Sequence, residues 1–297
     1  MPTEQIDPRY ADLDSWSTAD MLAAMYDGQL AAAAAVRGAL PAIGAAVDDA
    51  VPALQRGGRI VYVGAGTSGR IGVQDGTELT PTYDWPSERL VFAMAGGPAA
   101  LMQSSEGAED NEPAGAQAMM DAKIGRDDVV IGIAASGTTP FTIGALRAAG
   151  AAGAVTIAIA NNPGAPLFEV ARHRILADTG SEVVAGSTRM NAGTAQKIVL
   201  NLISTTLMVK LGRVYRGLMV DMRARNAKLR RRATAIIAEI IGCPEGDAAR
   251  YLEQADGDLK TAVLVGSGLS RPEAAKLLER HGGNLRSAIH AATGKNE

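Results

Sequence analysis

Five short apolar runs, at residues 60–63, 90–94, 129–134, 155–160 and 175–177, punctuate the middle of this chain. The first four each pass through small or polar turn residues into a helical pattern. Strands alternating with helices build βαβ units and a mainly parallel sheet, because parallel neighbours need a crossover long enough to hold a helix. The runs are almost continuously apolar, as strands covered on both faces are. This pattern predicts an α/β fold.

Helices flank the alternating region. Residues 17–57 are Ala-rich and helical in pattern, with a cap at Thr18-Ala-Asp20 ahead of Met21 and Leu22. Leu30, Val36, Leu40, Ile43 and Val47 predict a face that packs on a neighbour. A long helix is expected over 191–211, and another over 220–241, which carries the basic run Arg223, Arg225, Arg230, Arg231 and Arg232. The tail repeats itself: 242–263 aligns with 268–289 at an offset of 26, pairing Leu252-Glu253 with Leu278-Glu279 and Gly257 with Gly283. Each unit reads as helix, glycine-containing turn, helix, and two such hairpins bury each other's Leu and Ala faces.

The 297 residues carry a net charge of −3, so no global basic field draws the chain to nucleic acid or a membrane surface. Cys243 is the single cysteine, which rules out an intrachain disulfide and argues against a thiolate metal cluster. Aromatic residues make up only 4% of the chain, which favours small residues packing helices onto a sheet over an aromatic binding platform. No uninterrupted apolar run reaches the ~18 residues of a membrane helix. The opening Met-Pro-Thr-Glu-Gln lacks the basic-then-apolar pattern of a signal peptide, so a cytoplasmic protein is expected.

The first run leads into Gly64-x-Gly66-x-x-Gly69, which matches the dinucleotide-binding fingerprint. That site also wants a carboxylate at the end of the next strand, and here the next strand ends Phe92-Ala-Met-Ala-Gly-Gly97. Thr67 and Ser68 occupy the loop instead, with hydroxyls able to donate to phosphate oxygens. The third run enters a similar turn, Ala135-Ser136-Gly137-Thr138-Thr139-Pro140, with Pro at the expected first helical position. Two hydroxyl-rich loops at the carboxyl ends of parallel strands can converge on one phosphate. A phosphosugar site is the leading reading, with a nucleotide site or ordinary capping turns as alternatives. Glu78, one helix beyond the first loop, adds a carboxylate suited to proton chemistry.

Taken in order, five motifs closely resemble the N-acetylmuramic acid 6-phosphate etherase family. They are Gly64-Ala-Gly-Thr-Ser-Gly-Arg70 with Glu78; Glu106-Gly-Ala-Glu109-Asp110; Ala134-Ala-Ser-Gly137; Gly186-Ser-Thr-Arg-Met190 with Ala192-Gly-Thr-Ala-Gln-Lys197; and Met219-Val-Asp221 with the repeated tail. The resemblance runs from about residue 55 to the end. It implies a sugar isomerase (SIS) fold: a three-layer αβα sandwich on a mainly parallel five-stranded sheet, plus a small C-terminal helical subdomain. It divides the chain into N-terminal helices at 1–57, a phosphosugar-binding domain at 58–218, a connecting helix at 219–241 and the repeat at 242–297. It also implies a homodimer, for which the Ala-rich N-terminal helices offer a packing surface, the alternative being that they pack within the chain.

The implied reaction removes D-lactate from C3 of N-acetylmuramic acid 6-phosphate, leaving N-acetylglucosamine 6-phosphate, and belongs to peptidoglycan recycling. Two carboxylates can run the elimination and the water addition without metal or cofactor, exchanging acid and base roles. The resemblance gives Glu78 the leaving lactyl oxygen and Glu109 the C2 proton; the plain alternative for each is a helix cap or salt bridge. Thr67, Ser68, Ser136 and Thr138 are assigned to the phosphate. Glu106, three residues from Glu109 and on its face if the segment is helical, is assigned to a sugar hydroxyl or to solvent. In the loop Ser187-Thr188-Arg189, Ser187 is placed with the substrate, and Arg189 with the lactyl carboxylate or a structural acid. Lys197 reads as a solvated charge, and Cys243 as a buried packing residue.

The chain departs from the family at two places. It has Asp75-Gly-Thr-Glu78-Leu-Thr-Pro-Thr82 where the family reads Asp-Ala-Ser-Glu-Cys-Pro-Pro-Thr, and Asn191 where lysine is common. The histidines do not suggest a metal: His173 and His290 read as structural, and His281, at the repeat's turn, is kept only as a minor candidate for a pocket contact, should the helical repeat act as a lid. Two other functions are compatible with the fold. One is a phosphosugar-sensing protein without turnover, which needs the hydroxyl loops but not both glutamates. The other is an aldose–ketose phosphosugar isomerase, which moves a C2 proton without releasing lactate.

Overall fold

The computed structural model describes residues 1–103, 107–222 and 227–294; Glu106, Arg223 and Arg225 lie outside the described residues. The chain forms two compact units, one of residues 1–77 and 87–204, the other of residues 78–86 and 205–297.

The first unit is built on a five-stranded parallel sheet in the order β2-β1-β3-β4-β5. The strands are β1 (Ile60–Gly64), β2 (Leu90–Met94), β3 (Val129–Ile133), β4 (Val155–Ala160) and β5 (His173–Leu176). The expected parallel sheet is therefore present. The last strand begins two residues earlier than its apolar run, at His173, because its first residues lie half-exposed at the sheet edge. Alternation along the strands feeds two cores. Val61, Val63, Val130, Ala158 and Ala160 join Met119 of α5 (Glu112–Asp121) and Phe141, Ala145, Leu146 and Ala149 of α6 (Pro140–Ala151). On the other face, Tyr62 and Ile133 lie under α3 (Gly66–Thr77), where Gly72 and Gly76 leave room for them. There α2 (Leu40–Gln55) also packs across β3, β4 and β5.

The N-terminal helical stretch is α1 (Thr18–Ala35), a 3₁₀ turn at Val36–Ala39, and α2. The cap is Ser17, not Thr18. Its hydroxyl accepts from the Asp20 N–H at 3.2 Å and donates to the Asp20 carboxylate at 2.7 Å. Val36, Ile43 and Val47 are buried as expected, whereas Leu30 and Leu40 remain 53% and 48% exposed. The turn at 36–39 breaks the helical period, so the five positions do not share one face. The span Thr18–Gln55 is long and apolar enough by length and composition to cross a membrane. Its second half is committed elsewhere, with Ile43, Ala46, Val47, Ala50, Ala53 and Leu54 all buried.

The second unit holds the short helix α4 (Leu79–Tyr83), a hairpin of β6 (Val214–Tyr215) and β7 (Leu218–Met219), and the helices α8 (Ala227–Ile241), α9 (Glu245–Gln254), α10 (Leu259–Gly266), α11 (Arg271–Arg280) and α12 (Leu285–Thr293). Helix α7 (Asn191–Lys210) runs from the first unit into the second. The helix expected from 220 begins at Ala227, because Val220 pairs back onto Arg213 beyond the hairpin. The repeat is real in three dimensions. Asp258 and Asn284, one period apart, are equivalent caps that accept from the N–H groups of Thr261 and Ser287 at 2.8 and 3.0 Å. The period also relates Lys260 to Arg286, and buried Lys260 binds Asp221 at 2.7 Å and the Gly283 carbonyl at 2.6 Å. Cys243 is half-buried beside this core rather than fully enclosed.

Candidate active site

The sheet order reverses at β1. The chain leaves β1 for β2 on one side and returns across it to β3, so the connections from β1 and β3 lie on opposite faces and open a crevice at the carboxyl ends. Gly64 and Ile133 are register partners. The loops that follow them therefore start about 5 Å apart.

The first loop is held tight by glycines. A Cβ on Gly64 would lie 2.9 Å from the Gly69 nitrogen, and one on Gly69 would lie 2.9 Å from the Gly64 carbonyl. The strand end and the helix start thus touch backbone to backbone. Gly66, Thr67 and Ser68 form the first turn of α3, whose N–H groups have no intrahelical acceptor. Such amides, with the helix dipole and the hydroxyls of Thr67 and Ser68, are the kind of arrangement that suits an anion. Ser68 is buried and Thr67 half-buried. In the second loop the Ser136 hydroxyl accepts from the Thr138 N–H at 3.1 Å and from the Thr138 hydroxyl at 3.0 Å. Gly137 needs its left-handed φ of +70°, and a Cβ there would meet Ala165 at 2.3 Å. Pro140 does open α6, as the sequence predicts. The structure therefore brings Thr67, Ser68, Ser136 and Thr138 to adjacent strand ends.

Glu109 lies in a 3₁₀ turn, Ala108–Asp110, and is exposed. Residues 108–110 form this 3₁₀ turn and not the α-helix on which Glu106 and Glu109 would share a face; Asn111 caps the helix that follows. Arg70 steadies the approach to this segment: Nη2 donates to the Ala100 carbonyl at 2.9 Å and Nε to that of Leu101 at 3.1 Å. Sequence reading gave Arg70 no role of its own; its place at the end of the glycine motif was the available signal. Glu78, exposed, follows Thr77 directly and belongs to the second unit, where its carbonyl accepts from the Thr82 N–H. Among the described residues neither glutamate side chain makes an ion pair.

Ser187 and Arg189 lie on the loop before α7, half-buried and exposed respectively. Buried Glu182 closes that helix's N-terminus, accepting from the N–H groups of Asn191 and Ala192 at 2.9 Å each. Burial lifts the Glu182 carboxyl above its ordinary range, against the pull of those two amides. Asn191 thus has a structural task, and its side chain also accepts from Gln29 at 3.0 Å. Lys197 is not simply solvated, because its ammonium lies 3.9 Å from buried Asp75. His173 pairs with Asp49 at 2.9 Å across β5 and α2, which is the structural role expected. His281 ends α11 and lines a cavity of about 900 Å³ within the second unit, together with Tyr215, Arg286 and Ile289.

A model for the glucokinase regulatory protein N-terminal SIS domain matches residues 42–150, and the SIS-domain model matches residues 97–206. With the strand order and the paired loops, these matches define the class: a SIS-domain protein. Over 263 residues the chain is 53% identical to an N-acetylmuramic acid 6-phosphate etherase of Deinococcus radiodurans and 47% identical to one of Erwinia tasmaniensis. Both alignments cover 89% of this chain and 86% of the relative. The chain belongs to the N-acetylmuramic acid 6-phosphate etherase family. A solved phosphoheptose isomerase from Francisella tularensis is 19% identical, with a TM-score of 0.48 over 66% of this chain and 98% of its own.

Proposed function

We propose that this protein is a carbon–oxygen lyase that converts N-acetylmuramic acid 6-phosphate and water to N-acetylglucosamine 6-phosphate and D-lactate. Family membership at 53% identity across nearly the whole chain carries this reading. The phosphate rests on the α3 cradle and the Ser136–Thr138 loop. In the open-chain aldehyde, a base removes the acidified C2 proton, the C3–oxygen bond breaks, and an acid protonates the departing lactyl oxygen. Water then adds at C3 and a proton returns to C2.

Glu78 and Glu109 are the carboxylates proposed for these steps, with Glu78 on the lactyl oxygen. Their retention in the family motifs and their exposure support the choice. Ser187 and Arg189 are proposed for the sugar and the lactyl carboxylate, as is Glu106, outside the described residues, for a hydroxyl. The enzyme is proposed to act as a homodimer, and the exposed Leu22, Tyr26 and Leu30, four residues apart along α1, are an apolar face that a second copy would cover. A phosphorylated sugar does not cross a bilayer unaided, so the reading places the enzyme in the cytoplasm, in peptidoglycan recycling.

Lactate release from N-acetylmuramic acid 6-phosphate in H₂¹⁸O tests the proposal. The heavy oxygen is expected on C3 of the sugar. Binding without lactate favours a sensing protein, and ketose formation favours an isomerase.

A further inference from the structure

Thr3 is 0% exposed, although it carries a polar side chain. Its N–H donates to Asn162 Oδ1 at 3.2 Å, its hydroxyl accepts from Asn162 Nδ2 at 2.9 Å, and its carbonyl accepts from the Gly186 N–H at 3.0 Å. Asn162 Nδ2 also donates to the carbonyl of Ala135, the residue ahead of Ser136, at 2.8 Å. Four residues on, Asp7 accepts from the Ser181 hydroxyl at 2.9 Å. Residues 3–7 are therefore pinned at both ends across the loops that leave β3 and β4 and the 181–187 segment, all within the first unit.

Glu4 lies between the two pins and is exposed. Its carboxylate stands over Gly186, where an added Cβ would lie 2.9 Å from Glu4 Oε2. Gly186 directly precedes Ser187. Residues 2–4 form a 3₁₀ turn, and holding such a short segment in place costs conformational entropy, which these polar contacts offset. A carboxylate carried on this pinned backbone, beside the loop of Ser187, is positioned to accept from a ligand.

We propose that residues 3–7 form a built-in wall of the phosphosugar site, and that Glu4 is a substrate contact accepting hydrogen bonds from the hydroxyl or N–H donors of the sugar. This rests on the phosphosugar reading above. A carboxylate is repelled by phosphate at short range, so Glu4 reads the sugar end of the ligand and not its phosphate. Thr3 acts through Glu4 and is a positioning residue.

The test uses the full chain with Glu4→Gln, Glu4→Ala and Thr3→Val. Calorimetry measures binding of N-acetylglucosamine 6-phosphate and of inorganic phosphate, alongside the melting temperature. Glu4→Ala is expected to weaken phosphosugar binding about tenfold, as loss of one charged hydrogen bond does, with phosphate binding and melting unchanged. Glu4→Gln, which keeps one acceptor, is expected to fall between. Thr3→Val is expected to open residues 1–9 to proteolysis and to reproduce the loss in phosphosugar affinity. Glu4 variants with wild-type affinity for both ligands would overturn the proposal and leave the phosphosugar reading intact. A wild-type protein that binds no phosphosugar would take down both.

Discussion

The Tyr62 hydroxyl donates to the Asp75 carboxylate at 2.9 Å, in the layer between β1 and α3. Both residues are buried, and Tyr62 stacks on Phe92 with ring centroids 5.8 Å apart. Burial pushes the Asp75 carboxyl above its ordinary range, although Tyr62, Ser204 and Lys197 favour the ionised form. A raised carboxyl pKa means that the folded chain holds the proton more firmly than the unfolded chain. Ionised Asp75 therefore costs stability at neutral pH, and the cost fades as pH falls toward the ordinary carboxylate value. Asp75→Asn removes the charge and keeps an acceptor for Tyr62. The difference in unfolding free energy, variant minus wild type, is expected to be more favourable at pH 7 than at pH 4. Denaturant titrations at the two pH values check this, and a flat or reversed difference refutes it.

Asp128 behaves in the opposite sense. It precedes β3 as Arg59 precedes β1, and the pair closes the amino edge of two neighbouring strands with bonds of 3.0 and 2.7 Å. The backbone amides of Arg59 and Gly125 add two bonds of 2.9 Å. Burial pushes the Asp128 carboxyl up, but these donors together outweigh it and hold the group below its ordinary range. Its contribution is present above the unfolded value and is lost as pH falls through the folded one. Asp128→Ala is expected to cost about 2–3 kcal/mol at pH 7, since Arg59 keeps some solvent to fall back on. The gap to wild type should narrow below about pH 4.

Ser68→Ala and Ser136→Ala test the anion cradle. Each is expected to weaken N-acetylglucosamine 6-phosphate binding about 10-fold to 100-fold, the range for a hydrogen bond to a charged group. Binding of the unphosphorylated sugar should change much less. Equal losses for both ligands would show that these loops do not read the phosphate.

Glu78→Gln preserves shape and removes the proton. Lactate release is expected to drop by at least ~100-fold, the scale of general acid–base catalysis, while phosphosugar binding persists. Single-turnover lactate measurements beside calorimetry separate the two effects, and near-wild-type turnover would remove Glu78 from the chemistry.

The sheet was legible because its inner strands are apolar on both faces; the edge strand β5 was less so, since it starts on the polar His173 and Arg174. The two loops were legible because Gly64, Gly69 and Gly137 mark places where the backbone allows no side chain. What the sequence hid was long-range. Glu182 reads as one more loop acid until the start of α7 folds onto it. Lys197 reads as a surface charge until α7 brings it toward Asp75. Thr3 and Asn162 are 159 residues apart and belong to no motif, so only the folded chain shows that they are partners. The exposure of Leu30 and Leu40 follows from the break at 36–39, whose local signals are Gly38 in the turn and Pro41 at the start of α2.

The strand order also sets a timetable for synthesis. β1 meets β2 after residue 94, but its inner edge stays unpaired until β3 emerges at residue 129. At ~5–20 residues per second, that leaves a bare strand edge on the nascent chain for several seconds. An open edge invites pairing with another chain, so translation speed and chaperone occupancy over this interval should govern how much of the protein reaches its native state.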